Sequence, residues 1–257
     1  MKIAIYGIGM VGSQVASWFK DGLTYDIDPE KKTNTWEEVK EADVFFLCLP
    51  TPYKDDDEYD LSFLEEAIEK IPDGKTIVIK STVNPGTTDY FVQKYPKKIF
   101  LFNPEFLTEL SAKEDFIHPD MQIIGVPHPH YAVASKIMLM LPPAPTMRIV
   151  SPIDAESVKK IRNSFYAMKV VFFNQIYDIL EQTEADYETI RSIVVEDPRI
   201  GNSHSFIFHK GFRGYGGNCL PKDVNSLIDF AKKIGAPSEL LETVKKLNND
   251  YVTRNRI

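Results

Sequence analysis

A cysteine, Cys219, closes the run Gly211-Phe212-Arg213-Gly214-Tyr215-Gly216-Gly217-Asn218 and is followed by Leu220-Pro221-Lys222-Asp223. Four glycines ahead of a thiol suit a loop that wraps a bound molecule, because glycine brings backbone close to a ligand and accepts positive φ at little steric cost. Pro221 can open a helix with Asp223 in its first turn, which puts the thiol at a helix N-terminus with Lys222 three residues on. The dipole and the ammonium both favour thiolate, the nucleophilic form. Taken alone, the residue also reads as a buried structural cysteine beside a flexible loop.

A second chemical signal stands at the other end of the chain. Lys2 to Tyr6 reads as a short apolar strand running into Gly7-Ile8-Gly9-Met10-Val11-Gly12 and a helical stretch through Phe19. Strand, glycine turn and helix form the dinucleotide fingerprint, in which the backbone approaches a pyrophosphate stabilised by the helix N-terminus. Asp26 ends a second strand, Leu23 to Asp26, where a carboxylate accepts from a ribose diol and repels a 2′-phosphate, favouring NAD over NADP. A polar turn before Pro29 is the competing reading of Asp26 and Asp28. Glu105 and Glu109 follow a buried strand and would face one way if helical, which makes them acid/base candidates or simply a solvated face.

These groups need elements to hold them. The chain has 257 residues, 43% apolar and 26% charged, enough for one large or two medium domains. Further strands are expected at Val44 to Leu49, Thr76 to Ile79, Ile99 to Phe102, Met121 to Val126 and Met147 to Val150. Helices are expected at Thr35 to Ala42, Leu61 to Ile71 and near Tyr131 to Leu141, with the acidic run Asp55 to Asp60 as a solvated loop. Cys48 falls inside a buried strand and reads as core. Ser151-Pro152-Ile153-Asp154 is a helix start, and the pattern continues to about Thr183. Ile153, Val158, Ile161, Phe165, Met168, Phe172, Ile176 and Ile179 keep helical spacing there, with Lys159 and Asn163 as i,i+4 neighbours on another face. Asp186 to Val195, Val224 to Ile234 and Pro237 to the end are further helices, and Glu196 to Asn218 is a long loop. The expected architecture is α/β: a Rossmann-type dinucleotide-binding domain over residues 1–150, then an α-helical domain over 151–257 with a long central helix.

Composition limits the partners. A net charge of −7 disfavours nucleic acid but leaves room for local positive pockets that hold a phosphorylated small molecule. Two cysteines and no Cys/His cluster of zinc spacing give neither a disulfide framework nor a metal site. The absence of a long apolar run or a leader pattern leads to the expectation of a cytoplasmic protein without a membrane span.

Together the motifs resemble the UDP-glucose/GDP-mannose dehydrogenase family. The matching residues are Gly7-x-Gly9-x-x-Gly12, Asp26-Ile27-Asp28, Leu49-Pro50-Thr51-Pro52, Lys80-Ser81-Thr82-Val83-x-Pro85-Gly86-Thr87 and Asn103-Pro104-Glu105-Phe106-Leu107. They continue as Ala155-Glu156-x-x-Lys159-x-x-x-Asn163, Asp197-Pro198-Arg199-Ile200-Gly201 and Gly214-Tyr215-Gly216-Gly217-Asn218-Cys219-Leu220-Pro221-Lys222-Asp223, in the family's order. The resemblance implies oxidation of a nucleotide-sugar C6 alcohol to the carboxylate with two NAD molecules, UDP-glucose giving UDP-glucuronate. It implies that Cys219 forms a thiohemiacetal and then a thioester. Lys159 and Asn163 would donate to the oxyanion, with Glu105 and Asp223 handling water and protons and Thr82 helping to position them. For NAD it implies Gly7, Gly9, Met10, Val11, Gly12, Asp26, Lys31, Thr51, Thr82, Glu109 and Lys222. For the substrate it implies Phe106, Leu107, Lys159, Asn163, Arg199, Tyr215 and Gly216, Arg199 reaching into a neighbouring subunit of a homodimer built on the long helix.

Two departures qualify the resemblance. The segment between the second strand and Val44 is short, and the family's third domain, which covers the nucleotide, has no counterpart before Ile257. Either the chain is cut after the central helix or the enzyme is naturally minimal. His209, Lys210 and Arg213 in the 202–213 loop are candidates to hold substrate phosphates instead, on a par with a plain surface insertion. GDP-mannose or a UDP-N-acetylhexosamine as substrate, and an NAD-binding module without catalysis, are the alternatives.

Overall fold

The computed structural model describes residues 1–31, 33–53, 59–108, 110–209, 211–217 and 219–254. It divides into two compact units, Met1–Lys159 and Lys160–Ile257.

The first unit is built on strands whose two faces are both apolar. The strands are β1 (Ile3–Tyr6), β2 (Leu23–Tyr25), β3 (Val44–Leu47), β4 (Thr76–Ile79), β5 (Ile99–Phe102), β6 (Met121–Gly125) and β7 (Thr146–Val150), in the order β2-β1-β3-β4-β5-β6-β7. Side chains alternate across a strand, so Ala4, Tyr6, Phe45, Leu47, Ile77, Ile79, Phe100 and Phe102 fill one face. Ile3, Ile5, Val44, Phe46, Val78 and Leu101 fill the other. Helices α2 (Trp36–Val39), α3 (Ser62–Lys70) and α4 (Thr87–Lys94) pack on the first face through Val39, Leu64, Ile68 and Phe91. Helices α1 (Met10–Trp18), α5 (Ala112–Ile117) and α6 (Tyr131–Met138) cover the second through Val15, Phe116 and Ile137. Cys48, expected inside the buried strand, lies one residue past β3 and is partly buried, packing against that second cluster.

Every neighbouring pair is parallel except β5 and β6, which meet antiparallel at Phe102 and Gly125. Strand order reverses at β1, whose neighbours are β2 and β3, and that switch point opens a crevice at the carboxyl ends of the strands. Residues 103–108 form neither helix nor strand, so the helical spacing considered for Glu105 and Glu109 does not arise, and Glu109 lies outside the described residues.

The second unit is helical: the greater part of α7 (Pro152–Leu180), then α8 (Tyr187–Val194), α9 (Leu220–Lys233) and α10 (Glu239–Arg254). Its core joins Ala167, Val170 and Val171 to Val224, Ile228, Val244 and Tyr251. The 196–218 stretch, read from sequence as loop throughout, contains a two-stranded ladder of β8 (Phe208–His209) and β9 (Phe212–Arg213). The apolar spacing along α7 is real, but only part of the set meets a core: Val158, Met168 and Ile176 pack against apolar clusters. Ile161, Phe165, Phe172 and Ile179 are each more than half exposed, while the buried positions include Glu156, Lys159 and Lys160.

Among the described residues no helix is long and apolar enough to cross a membrane, and no group of three or more His, Cys, Asp or Glu is placed to hold a metal ion.

Candidate active site

The glycine turn after β1 is shaped by close approach. Gly7 sits at φ +93, and a Cβ there would lie 2.6 Å from the carbonyl oxygen of Cys48. A Cβ on Gly12 would lie 1.8 Å from the Gly7 carbonyl oxygen, whereas Gly9 faces open space. No side chain caps α1 at Gly9, which leaves the first N–H groups of the helix for a ligand. Asp26 stands just beyond β2 and accepts from the Ile8 N–H at 2.6 Å through one oxygen and from the Asp28 N–H at 2.9 Å through the other. This combination fits a dinucleotide: room at Gly9, unspent helix donors for a pyrophosphate, and a carboxylate at the end of the second strand. Met10 is exposed, Val11 partly buried, and Lys31 exposed and paired with Asp28 at 3.1 Å.

A second cluster gathers at the carboxyl ends of β3, β4 and β5. Thr51 is buried and donates to the Thr82 carbonyl at 2.7 Å, tying the end of β3 to that of β4. Lys159, from the last turn of α7 within this unit, donates to Thr82 Oγ1 at 2.9 Å and pairs with Glu105 Oε1. Glu105 Oε2 accepts from the Leu107 N–H at 2.8 Å. Burial works to raise the Glu105 carboxyl, but the Lys159 ammonium and these hydrogen bonds outweigh it and hold the group below its ordinary value. The result is a buried carboxylate and ammonium in contact, with a hydroxyl beside them. Phe106 and Leu107 pack against the two apolar clusters of the sheet.

Two polar residues of the family-like motifs, to which the sequence assigns no role, support this cluster. Lys80 is buried and donates to Asn103 Oδ1 at 2.6 Å, anchoring the start of the segment that carries Glu105, and burial pushes its ammonium down to about 8. Burial also pushes the Cys48 thiol up to about 12, even with Lys80 nearby, which disfavours the thiolate. Glu156 accepts from the N–H groups of Gly86 and Thr88 and from the Thr88 hydroxyl, capping α4 where Gly86 offers no side chain.

The second unit carries the thiol. Cys219 is exposed and immediately precedes α9, its carbonyl accepting from the Asp223 N–H at 3.0 Å. Asp223 is buried; its Oδ1 accepts from Lys160 Nζ at 2.6 Å and its Oδ2 from Asn163 Nδ2 at 2.5 Å. Asn163 thus lies against Asp223. Lys222 is partly buried in the same first turn. Lys160 is another residue that sequence reasoning missed; its only sequence signal is a second lysine beside Lys159.

The glycine loop is held by α10: the Tyr215 N–H donates to Asn248 Oδ1 at 2.6 Å, and Asn248 returns a bond to the Tyr215 carbonyl at 3.0 Å. The Tyr215 ring is buried, which pushes its phenol up to about 12. Gly216 packs against the Phe212 ring, where a Cβ would come within 2.8 Å. Arg199 is exposed and forms a fork with Asp197, in a turn that Lys169 pins through the carbonyls of Ile200 and Gly201, both at 2.7 Å. Arg213 is engaged with Asp178 at 2.6 Å and with Asn174, which ties the hairpin to α7. His209 is exposed, and Lys210 lies outside the described residues.

Comparison with known proteins agrees with this geometry. Residues 29–139 match the NAD binding domain of the UDP-glucose/GDP-mannose dehydrogenase family, and residues 153–250 match its central domain. A UDP-glucose 6-dehydrogenase of Rickettsia bellii is 34% identical over 224 residues, 83% of this chain and 51% of the relative. The chain therefore spans about half the length of the curated relatives it matches. The structure of a UDP-glucose dehydrogenase from Pyrobaculum islandicum superposes with a TM-score of 0.84 at 26% identity, covering 97% of this chain and 68% of that one. A UDP-D-ManNAc dehydrogenase from Pyrococcus horikoshii has the same fold, with a TM-score of 0.84 at 23% identity over 98% of this chain and 69% of that one. The chain belongs to the UDP-glucose/GDP-mannose dehydrogenase family, of which it carries the NAD-binding and central domains.

Proposed function

We propose that this chain is the NAD-binding and central part of a dehydrogenase that oxidises the C6 alcohol of a nucleotide sugar, UDP-glucose in the first instance, to the carboxylate. The observation that carries the reading is an exposed thiol at the head of α9 with a buried, doubly hydrogen-bonded carboxylate one turn on. Bound NAD supplies the hydride acceptor, twice per sugar.

The residues of the chain do the rest. In the first oxidation the alcohol carbon gives up a hydride and its hydroxyl a proton, leaving an aldehyde. The Cys219 thiolate adds to the aldehyde carbon, the carbonyl π pair moves to oxygen, and that oxygen takes a proton; the carbon again bears both hydrogen and hydroxyl. Loss of a second hydride and of the hydroxyl proton leaves a thioester. Water then attacks the carbonyl, the thiolate departs, and a carboxylate and the two protons of the water remain. Negative charge collects on the substrate oxygen at each stage, where the Lys159 ammonium and the Asn163 amide, four residues apart on one helix, are suited to receive it. Glu105 and Thr82 orient the ammonium, and Asp223 accepts the proton of water.

Arg199 and the exposed apolar stripe of α7 support a further reading. Ile161, Phe165, Phe172 and Ile179 recur at near-heptad spacing along an uncovered helix face, which suits a second copy of the chain, and Arg199 would then serve the neighbour's substrate. Sedimentation should give a dimer that Phe165→Asp/Phe172→Asp dissociates; a monomeric parent protein refutes the pairing.

Incubation with NAD and UDP-glucose, followed at the absorbance of reduced nicotinamide, tests the activity. Two NADH per sugar acid are expected, with turnover lost in Cys219→Ala. A panel including GDP-mannose and UDP-N-acetylhexosamines locates the preferred sugar. NAD binding with no NADH from any of them defeats the proposal.

A further inference from the structure

Lys160 takes no part in the steps above, yet it has 0% exposure and its ammonium lies 2.6 Å from Asp223 Oδ1. Asn163 holds the other oxygen at 2.5 Å, so one turn of α7 grips both ends of the carboxylate. The Asp223 N–H in turn bonds the Cys219 carbonyl at 3.0 Å, which fixes the register between carboxylate and thiol. Removing two charges from water is costly, and well-packed apolar residues in their place would join the helices at least as firmly. Stability alone is therefore a poor reason for the pair. Holding a buried carboxylate ionised and in one orientation is a good one, because without a cation burial favours the neutral form.

We propose that Lys160 is a positioning residue, which keeps Asp223 oriented one helical turn from the Cys219 thiol so that it can take the proton of the water that hydrolyses the thioester. The inference rests on the dehydrogenase reading and sharpens it, by assigning the Lys160–Asp223 pair to the last step rather than to either oxidation.

The test uses the full chain with NAD and UDP-glucose, comparing the parent protein with Lys160→Met and with Lys160→Gln, which keeps a donor but not the charge. Circular dichroism and NAD binding check that each variant folds. Slowed hydrolysis predicts a burst of two NADH per thiol, a steady-state kcat lower by about 10²-fold with KM falling in parallel so that kcat/KM is unchanged, and an acyl adduct on Cys219 visible by intact mass. Unchanged kcat, or a fall without burst and adduct, overturns the proposal. Loss of fold in both variants makes the pair purely structural and also overturns it. A parent protein that yields no NADH removes the dehydrogenase reading itself, an outcome separate from an active parent with unaffected variants.

Discussion

Replacing Glu156 with glutamine should make the stability of the first unit lose a defined pH dependence. The Glu156 side chain is 1% exposed and accepts three hydrogen bonds, from Gly86 N–H at 2.6 Å, Thr88 N–H at 2.8 Å and Thr88 Oγ1 at 2.7 Å. Two effects compete: burial penalises the charge, and the donors at the head of α4 favour it. Burial is the larger and raises the carboxyl from 4.5 to about 7. At ~1.4 kcal/mol per pH unit, that displacement amounts to about 3 kcal/mol. Because the folded state holds the proton more tightly, the contribution is fully present below pH 4.5 and is lost as pH rises to about 7, where the folded group ionises. Both tryptophans, Trp18 and Trp36, lie in this unit, so their fluorescence in urea titrations reports on it directly. The stability of the parent protein relative to Glu156→Gln should fall by about 3 kcal/mol between pH 4.5 and 8. A difference that stays constant, or that grows with pH, would show that the helix donors win and that the reasoning is wrong.

Two further expectations concern the site. Lys159→Met leaves the Glu105 carboxylate buried without its ammonium, so it should cost about 3–5 kcal/mol in urea and abolish turnover, while Lys159→Met/Glu105→Gln recovers much of the stability but none of the activity. Equal stability of the single and double variants contradicts that account. Gly12→Ala places a Cβ 1.8 Å from the Gly7 carbonyl oxygen, so NAD binding measured calorimetrically should weaken by at least about 100-fold, and unaltered affinity would count against the pyrophosphate reading of the turn.

Much of the fold was legible from local pattern. Unbroken apolar runs such as Val44 to Leu47 announce strands buried on both faces, and Ser151-Pro152 announces the long helix. The antiparallel meeting of β5 and β6 was not legible, since one residue pair across the sheet leaves no mark in the periodicity of either strand. The short ladder of Phe208 and His209 with Phe212 and Arg213 was missed for the same reason, two residues being too few for an alternation to show. The α7 stripe was visible as a pattern, but a pattern says which residues share a face and not what covers it.

The sequence by itself determined which chemical groups this protein has and in what order they come: the glycine turn, Asp26, the Glu105 segment, Lys159, Asn163 and the Cys219 loop. Only tertiary structure decided their partners. Lys159 meets Thr82 and Glu105 across 77 and 54 residues of chain, and Lys160 meets Asp223 across 63. Adjacent lysines on one helix consequently serve different carboxylates, one in each unit. Helical periodicity places residues on a face within a few turns, whereas an ion pair across tens of residues depends on how sheet and helices pack, and local spacing carries no record of that.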